Sequence, residues 1–425
     1  MTAFTRRGLW GLAASFAAAL ALLVAPPAWA DDDDDDNAPR WVGTWTASPQ
    51  APEPPFVLAT PAQFQNQTIR QIVHVSVGGT QFRVRLSNEY GRTPLVVGAA
   101  RLARQLPGNG SAIVPGSDRV LTFGGRTSVT IPAGAPVLSD PVSLEAPALS
   151  NLAVSLYLPN AQPASTFHSL GVQTTYISSQ GDFTASSSLP VASTTTSWFF
   201  LSGVTVASKR KPAAVVALGD SITDGYASTV DANRRWPNLL AQRLQGRPDL
   251  RHVAVMDHGI SGNRTQFDLI GPNAMARLDR DVLAAPGVKW VVLLEGINNI
   301  GIPGAFGLPQ EAVSAEDIIF SYKQIIDRVR ERGLKIYGGT LTPFEGTVFP
   351  GYYTAAGEAK RQTVNAWIRN SRAFDAVIDF DRAIRDPSNP TRMLPAYDSG
   401  DHLHPNDAGY LAMANAVPLS LFRDD

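Results

Sequence analysis

The sequence predicts an α/β protein in which an antiparallel β-sandwich or jelly roll precedes a three-layer domain with a parallel sheet between helices. Residues 41–208 contain many short apolar runs, separated by Gly, Pro, Asn and Ser, and no convincing helix. This pattern is typical of antiparallel sandwiches. After Lys-Arg-Lys-Pro at 209–212, near-continuous apolar runs alternate with helical segments, which indicates a parallel sheet covered on both faces. We therefore predict one domain at 41–208 and a second at 209–425.

The strands of the first part are predicted from alternation of apolar and polar residues. The segments with this pattern are 68–77, 81–87, 95–102, 119–123, 128–131, 152–158, 174–178 and 198–206. Gly78 and Gly79 lie between the first two segments, and two glycines in this position predict a hairpin.

The second part alternates strands with amphipathic helices. Predicted strands lie at 213–218, 253–256, 288–294, 334–337 and 376–380. A helix is predicted at 315–332, because Ser314 and Asp317 can form a capping box and Gly333 can end the helix. Another is predicted from the spacing of Trp236, Leu239, Leu240 and Leu244. Ligands of such sheets bind beyond the carboxyl ends of the strands, so functional residues are expected there.

The N-terminus predicts export. Arg6 and Arg7 precede an apolar stretch at 9–24 and an Ala-Trp-Ala cleavage pattern at 28–30, so residues 1–30 resemble a signal peptide. The apolar stretch is short for a membrane span, which needs about 20 residues, and an uncleaved anchor is the alternative. The arginine pair also resembles a twin-arginine signal, with ordinary unfolded export equally open. The six aspartates at 31–36 predict a disordered acidic leader at 31–40. We expect a periplasmic or extracellular protein.

Composition excludes several classes of function. The 425 residues carry a net charge of −1, which argues against nucleic acid or an anionic membrane as the main partner. The absence of cysteine excludes disulfides, cysteine-bound metals and a thiol nucleophile. Asp220 and Asp224 could bind a metal, but no cluster of His, Asp and Glu completes a site in the sequence, and turn residues are the simpler interpretation. We predict that no metal or organic cofactor is needed.

A nucleophile, an acid and a base occur in an order known from hydrolytic triads. Ser221 directly follows the apolar run 213–218 and Gly-Asp, while Asp401 and His404 lie three residues apart near the C-terminus. A serine hydroxyl needs a positioned base, which His404 would provide, and Asp401 would orient that base. Gly-Asp-Ser alone is a weak signal, because a serine after a strand can simply cap a helix.

Two further segments strengthen the interpretation. Gly-Ile-Ser-Gly-Asn at 259–263 follows the second strand, and Gly-Ile-Asn-Asn at 296–299 follows the third. Together with Gly219-Asp220-Ser221-Ile222 and the Asp401-x-x-His404-Pro405 segment, they resemble the SGNH hydrolases, or GDSL esterases and lipases, over about 213–420. The β-rich part looks like an N-terminal domain attached to some secreted members.

The resemblance implies a flavodoxin-like domain and a set of site residues. Ser221, Asp401 and His404 would be catalytic, and the backbone N–H groups of Ser221 and Gly262 with the side chain of Asn298 would form the oxyanion hole. Gly262 lacks a Cβ, so its backbone can approach the substrate closely. One position departs from the family: Asn299 stands where Asp is usual, which puts the support of the local loop in question.

Simpler interpretations compete at several positions. Gly262 and Asn298 could be ordinary turn residues. His402 is the rival base, although its spacing from Asp401 and the position of Pro405 favour His404. Structural or surface roles are expected for the histidines His74, His168, His252 and His258. Core packing is expected, rather than a sugar-stacking platform, for the tryptophans Trp41, Trp45 and Trp198.

We therefore expect an exported serine carboxylic-ester hydrolase that removes acetyl or other short acyl groups from carbohydrate through an acyl-enzyme on Ser221. Its partner would be the ester substrate, with no nucleic acid and no membrane span after signal cleavage. The alternatives are a lipase or arylesterase acting on short-chain lipid or aryl esters, an acyltransferase, and a non-catalytic glycan-binding protein. A choice of carbohydrate rests on analogy with family members and not on a particular residue.

Overall fold

Antiparallel sheets form the first part of the chain and a parallel sheet with helices forms the second. The computed structural model describes residues 40–52, 63–108, 110–208 and 210–423, which fall within one compact unit. The predicted signal peptide at 1–30 and leader residues 31–39 lie outside the described residues.

The first part contains seventeen of the described strands. They are β1 Arg40–Thr46, β2 Gln63–Phe64, β3 Gln67–His74, β4 Gly79–Ser87, β5 Leu95–Val97, β6 Ala99–Arg104, β7 Arg119–Val120, β8 Val129–Ile131, β9 Pro136–Leu138, β10 Val142–Ala146, β11 Asn151–Leu158, β12 Gln162–Pro163, β13 Phe167–His168, β14 Thr175–Gln180, β15 Val191–Thr195, β16 Trp198–Phe199 and β17 Leu201–Ser208.

These strands form two larger antiparallel sheets. One has the order β15-β14-β3-β11-β6-β7, and the other has the order β1-β17-β4-β10 with β9 also paired to β4. Smaller sheets pair β5 with β8, β2 with β12, and β13 with β16. The prediction of an antiparallel β-rich region is therefore confirmed.

The predicted hairpin at Gly78-Gly79 is wrong. Strands β3 and β4 belong to different sheets, because β3 pairs with β11 and β14 while β4 pairs with β17. The chain crosses between the sheets at Gly78, where a Cβ would lie 2.4 Å from the backbone oxygen of Ala146. Glycine is thus required here by close backbone packing and not by a hairpin turn.

Two predicted strands are each divided. The segment predicted at 95–102 forms β5 and β6, separated at Gly98, where a Cβ would lie 2.9 Å from the ring of Tyr157. The segment predicted at 198–206 forms β16 and β17, separated at Phe200, whose φ of 55° is incompatible with a continuous strand. Because these two strands join different sheets, the interruption lets one segment serve both.

The second part contains the parallel sheet. Its strands are β18 Ala213–Gly219, β19 Val253–Gly259, β20 Val288–Leu294, β21 Lys335–Gly339 and β22 Ala376–Ile378, in the order β19-β18-β20-β21-β22. All neighbours are parallel. Numbered from β18, this is the order 2-1-3-4-5 of flavodoxin-like sheets, in which the order reverses between the first and third strands. Ligands are expected at the carboxyl ends of β18 and β20.

Helices follow the strands of this sheet. They are α1 Ser221–Asp224, α2 Trp236–Gln245, α3 Ala274–Leu278, α4 Ile297–Ala305, α5 Ala315–Glu331, α6 Ala355–Asn370, α7 Phe380–Ile384 and α8 Asp407–Ala416, with a π-helical turn at Asp279–Leu283 and 3₁₀ turns at Pro309–Glu311, Pro395–Tyr397 and Leu419–Phe422.

Helix α5 begins at the predicted capping box, since the Ser314 and Asp317 side chains bind each other's backbone N–H groups. The strand predicted at 376–380 is shorter, because Asp379 caps α7 and Phe380 is already helical. Within the described residues no helix combines the length and apolar character that a membrane crossing requires.

The β-rich part packs against β19, the edge strand of the parallel sheet. The Thr46 hydroxyl donates to the Asp257 backbone oxygen at 3.0 Å, and the Ser76 hydroxyl accepts from the Val255 N–H at 3.0 Å. Side chains of one part therefore satisfy backbone groups that an edge strand would leave unpaired. Buried residues of both parts also belong to one continuous apolar core. The division into two domains at 208/209 stays a prediction.

Candidate active site

The predicted site residues meet at the carboxyl edge of the parallel sheet. Ser221 is the first residue of α1, directly after β18, and Asn298 lies in the first turn of α4 after β20. Gly262 lies in the loop after β19, while Asp401 and His404 lie in the loop before α8. The Asp220 side chain caps α1 by accepting the Ile222 N–H at 2.9 Å, which fixes the turn at Ser221.

Ser221, His404 and Asp401 form a continuous chain of hydrogen bonds. The Ser221 Oγ lies 2.8 Å from His404 Nε2, and His404 Nδ1 lies 2.6 Å from Asp401 Oδ2. The other Asp401 oxygen accepts the N–H groups of Leu403 at 2.9 Å and His404 at 2.8 Å. Burial alone would raise the pKa of Asp401, but its bonds with His404 hold this pKa well below its usual range. An ionised Asp401 accepts from Nδ1–H, which leaves His404 Nε2 directed at the Ser221 hydroxyl.

Two aromatic side chains enclose His404. The ring centre of Tyr226 lies 4.2 Å from that of His404, and the ring centre of Phe349 lies 6.3 Å from it, with the two planes nearly perpendicular. Tyr226 and Phe349 each expose 37% of their surface, so both border the site opening. Sequence reasoning did not identify either residue. Tyr226 follows the nucleophile segment by only a few residues, and an aromatic residue there was the one available signal.

The predicted oxyanion residues line the same cavity as Ser221 and His404. Asn298 Nδ2 donates to the Asn263 backbone oxygen at 2.9 Å, and the Tyr352 hydroxyl donates to Asn298 Oδ1 at 2.7 Å. These two bonds set the orientation of the amide and, among the described residues, use only one of its two N–H groups. Asn298 therefore retains a donor for a second partner.

Gly262 is required by its backbone conformation. Its φ is +80°, and a Cβ there would lie 2.4 Å from Ile270 Cδ1. Any other residue would be strained and would displace the cavity wall.

Asn299, the departure from the family pattern, still supports the loop after Gly262. Its Oδ1 accepts the Thr265 N–H at 2.9 Å, as a carboxylate could. Its buried Nδ2 has no hydrogen-bond partner among the described residues. The substitution therefore keeps the loop contact and leaves one amide group unsatisfied.

The cavity next to Ser221 is mainly apolar. It has a volume of about 490 Å³. Its apolar lining consists of Ile270, Ile302, Ala305, Phe306, Phe349, Pro350 and Leu403. Among the described residues, no Asp, Glu, Lys or Arg lines it. Ser169, from the β-rich part, also borders it, so both parts of the chain contribute to the site.

Apart from His404, neither the rival base His402 nor the other histidines contact Ser221 in the described structure. His402 is half-exposed, has a φ of +60° and binds Asp398 through Nδ1. His74 binds Asn151 at 2.7 Å. Burial lowers the pKa of His258 to about 4, and its Nδ1 lies 2.9 Å from Ser48 Oγ. His168 is buried and lies next to the site, bound to Asp224.

The remaining alternatives concern tryptophans and metal ligands. Trp45 and Trp198 are buried with ring centres 4.9 Å apart, as core packing predicts, whereas Trp41 is partly exposed below Arg83. In the described part of the chain, no group of three or more His, Asp and Glu side chains is arranged to hold a metal ion.

Comparison with known proteins identifies the family that the second part of the chain resembles. Residues 217–412 match the model of the GDSL-like lipase/acylhydrolase family. A comparison with curated proteins found no match.

Solved structures similar to this chain include three esterases or lipolytic proteins. A lipolytic protein of the G-D-S-L family from Desulfitobacterium hafniense has 21% identity and a TM-score of 0.36, covering 48% of this chain and 96% of its own. An aryl esterase from M. smegmatis has 17% identity and a TM-score of 0.39, and the match covers 48% of this chain and 95% of the esterase. A carbohydrate acetylesterase from Sinorhizobium meliloti has 15% identity and a TM-score of 0.38, and the match covers 48% of this chain and 95% of the acetylesterase.

The family match includes the end of the strand that precedes Ser221, the loops of Gly262 and Asn298, and the segment with Asp401 and His404. Residues 217–412 therefore form a GDSL-like lipase/acylhydrolase domain, and the protein is a carboxylic ester hydrolase.

Proposed function

We propose that Ser221, His404 and Asp401 are the catalytic triad of this ester hydrolase. The observation that carries the proposal is the hydrogen-bond chain from Ser221 Oγ through His404 to Asp401, which opens on the apolar cavity. Ser221 Oγ attacks the ester carbonyl carbon while His404 Nε2 takes the hydroxyl proton. The alcohol then leaves with that proton, and an acyl-enzyme on Ser221 results. Water, deprotonated by His404, attacks the acyl-enzyme, and the acid leaves as Ser221 regains its proton.

The oxyanion formed in both steps is assigned three donors. These are the backbone N–H groups of Ser221 and Gly262 and the second Nδ2–H of Asn298. Support for this assignment comes from their shared cavity and from the fixed amide of Asn298. Preorganised donors stabilise the charge that develops in the transition state, and each is typically worth about 2.7–4 kcal/mol.

We further propose that the preferred substrate has an apolar acyl or aryl group. The lining by Phe306, Phe349 and Ile302 would stabilise hydrocarbon, and no charged side chain among the described residues is available there to bind a polar group. This supports the lipid or aryl ester alternative over the acylated carbohydrate. An acyltransferase would need an acceptor alcohol to replace water in the second step.

We also propose that the protein is exported and that its β-rich part is a β-sandwich. The basic and apolar N-terminal segments support export to the periplasm or the outside of the cell. The shared apolar core of the two larger antiparallel sheets supports a β-sandwich.

The nucleophile is tested by replacing Ser221 with alanine. The Ser221→Ala variant should fold and lose several orders of magnitude in hydrolysis of p-nitrophenyl butyrate. Ser228→Ala is the matched control, because Ser228 is equally buried and donates instead to the Gly225 backbone oxygen at 2.7 Å. Retention of more than about a tenth of wild-type turnover by Ser221→Ala would refute the proposal.

The substrate class is tested with a series of p-nitrophenyl esters and with acetylated xylan. Burying one CH₂ group is worth about 0.8 kcal/mol, so kcat/KM should rise about fourfold per added carbon until the cavity is filled. Release of acetate from xylan that exceeds hydrolysis of every p-nitrophenyl ester would favour the carbohydrate instead.

A further inference from the structure

His168 belongs to the β-rich part of the chain but contacts the proposed active site. It lies in β13 and exposes only 3% of its surface. Its Nε2 lies 2.9 Å from Asp224 Oδ1, and its Nδ1 lies 3.0 Å from the backbone oxygen of Ser48. Asp224 is itself buried, as the last residue of α1, the helix that Ser221 begins.

Both partners of His168 accept hydrogen bonds. A carboxylate and a backbone carbonyl offer no hydrogen, so both ring nitrogens must donate, and the ring is then an imidazolium. Burial by itself would lower the pKa of His168, but the Asp224 charge and the two hydrogen bonds outweigh burial and raise it. The pair is thus a buried ion pair, and removal of one partner would leave the other charge uncompensated.

Asp224 also binds the loop that contains Gly262. Its second oxygen, Oδ2, accepts the Ser261 backbone N–H at 3.0 Å and the Ser261 hydroxyl at 2.9 Å. Ser261 directly precedes Gly262, whose N–H is an assigned oxyanion donor. The peptide that carries this N–H is therefore joined, through one carboxylate, to both α1 and the β-rich part.

We propose that His168 is a positioning residue, through which the β-rich part holds the Gly262 N–H and the nucleophile helix in their catalytic arrangement. The inference rests on the proposed function, because it needs Gly262 as an oxyanion donor. A carboxylate that lost its imidazolium would be free to reorient, and the Ser261–Gly262 peptide would lose its fixed acceptor. A displacement of about 1 Å at a reacting group can cost about 10²-fold in rate.

A second observation places the same segment at the site. Ser169, next to His168, borders the substrate cavity. Its N–H and hydroxyl both donate to Gln50 Oε1, at 2.9 and 3.1 Å. The backbone around His168 is therefore fixed within the β-rich part, so His168 can act as a rigid support for Asp224.

The test compares His168→Gln with Ser76→Ala. The control also removes a buried hydrogen bond between the β-rich part and the parallel sheet, but at Val255, away from the catalytic loops. We expect His168→Gln to lower kcat about 10- to 100-fold with little change in KM, because ground-state binding by the apolar cavity is retained. Ser76→Ala should lower the melting temperature and leave kcat within about twofold of wild type.

A double-mutant cycle decides whether the effect passes through Asp224. If it does, His168→Gln combined with Asp224→Asn should lose little more kcat than the worse single variant, because both changes break the same connection. A kcat of His168→Gln within about twofold of wild type, with Ser221→Ala inactive, would overturn this inference and leave the triad intact. The inference would also be overturned if the fold-losses in kcat of the two single variants multiplied in the double variant. Full activity of Ser221→Ala would instead remove the proposed function on which the inference rests.

Discussion

Asn298→Ala tests the oxyanion assignment apart from the triad. The substitution leaves Ser221, His404 and Asp401 unchanged and removes the amide whose second N–H we assign to the oxyanion. The loss of one such donor typically costs about 2.7–4 kcal/mol, or about 10²–10³ in kcat. The loss should appear in kcat more than in KM, because the contact strengthens as charge develops on the oxygen.

The same substitution has a cost in stability that must be measured separately. It leaves the Tyr352 hydroxyl and the Asn263 backbone oxygen without their bonds of 2.7 and 2.9 Å. Each unsatisfied buried group costs about 1–3 kcal/mol, so the melting temperature should fall as well. A reduced melting temperature alone is therefore no evidence for catalysis.

The assay measures kcat, KM and melting temperature on one preparation of Asn298→Ala, at a temperature well below its unfolding transition. We expect a folded enzyme with kcat reduced by about 10²–10³. Near-normal kcat with a lowered melting temperature would show that Asn298 only stabilises the turn, and the oxyanion assignment would be withdrawn.

Three further predictions concern neighbours of the triad. Tyr352→Phe keeps the Asn298 donor but removes one hydrogen bond that orients it, so kcat should fall only about 2- to 10-fold. A loss of kcat as large as that of Asn298→Ala would contradict this reasoning. Gly262→Ala should lower both kcat and melting temperature. Adding Ile270→Val removes the clashing Cδ1 and should restore part of the melting temperature. It should not restore all of it, because the strain of an alanine at positive φ remains. Burial raises the pKa of Asp220 to about 7, although the Ile222 N–H and Arg277 favour its ionised form. A carboxyl with a raised native pKa stabilises the fold below its unfolded pKa of about 3.9 and loses this contribution as pH rises through about 7. The melting temperature of Asp220→Asn should therefore rise relative to that of wild type between about pH 4 and 8. Parallel curves of melting temperature against pH for the two proteins would contradict this prediction.

The sequence predicted those elements whose signals are local. The capping box of Ser314 and Asp317 lies where α5 begins, and the apolar run 288–294 is β20 without change. The order of strands in the antiparallel sheets depends on pairing between distant residues, such as His74 with Asn151 in β3 and β11. The local signal at Gly78-Gly79 was therefore misleading, because it could not show that the chain changes sheets there.

The candidate site shows the same division. Ser221, Gly262 and Asn298 follow consecutive strands of a parallel sheet, so their meeting at one edge could be predicted from order alone. The contact of His168 with Asp224 depends on how the β-rich part packs against that sheet, and no spacing in the sequence indicates it. The ring contact between Tyr226 and His404 was likewise missed, because it joins residues almost 180 positions apart.

The central claim is that Ser221 carries the acyl group, and covalent labelling tests it most directly. Wild-type protein would be treated with a fluorophosphonate, its residual activity measured, and the modified residue located by peptide mass spectrometry. We predict one adduct per chain, on Ser221, formed in proportion to the activity lost, and no adduct in Ser221→Ala. Complete inactivation with the adduct on another residue, or with Ser221 unmodified, would contradict the account.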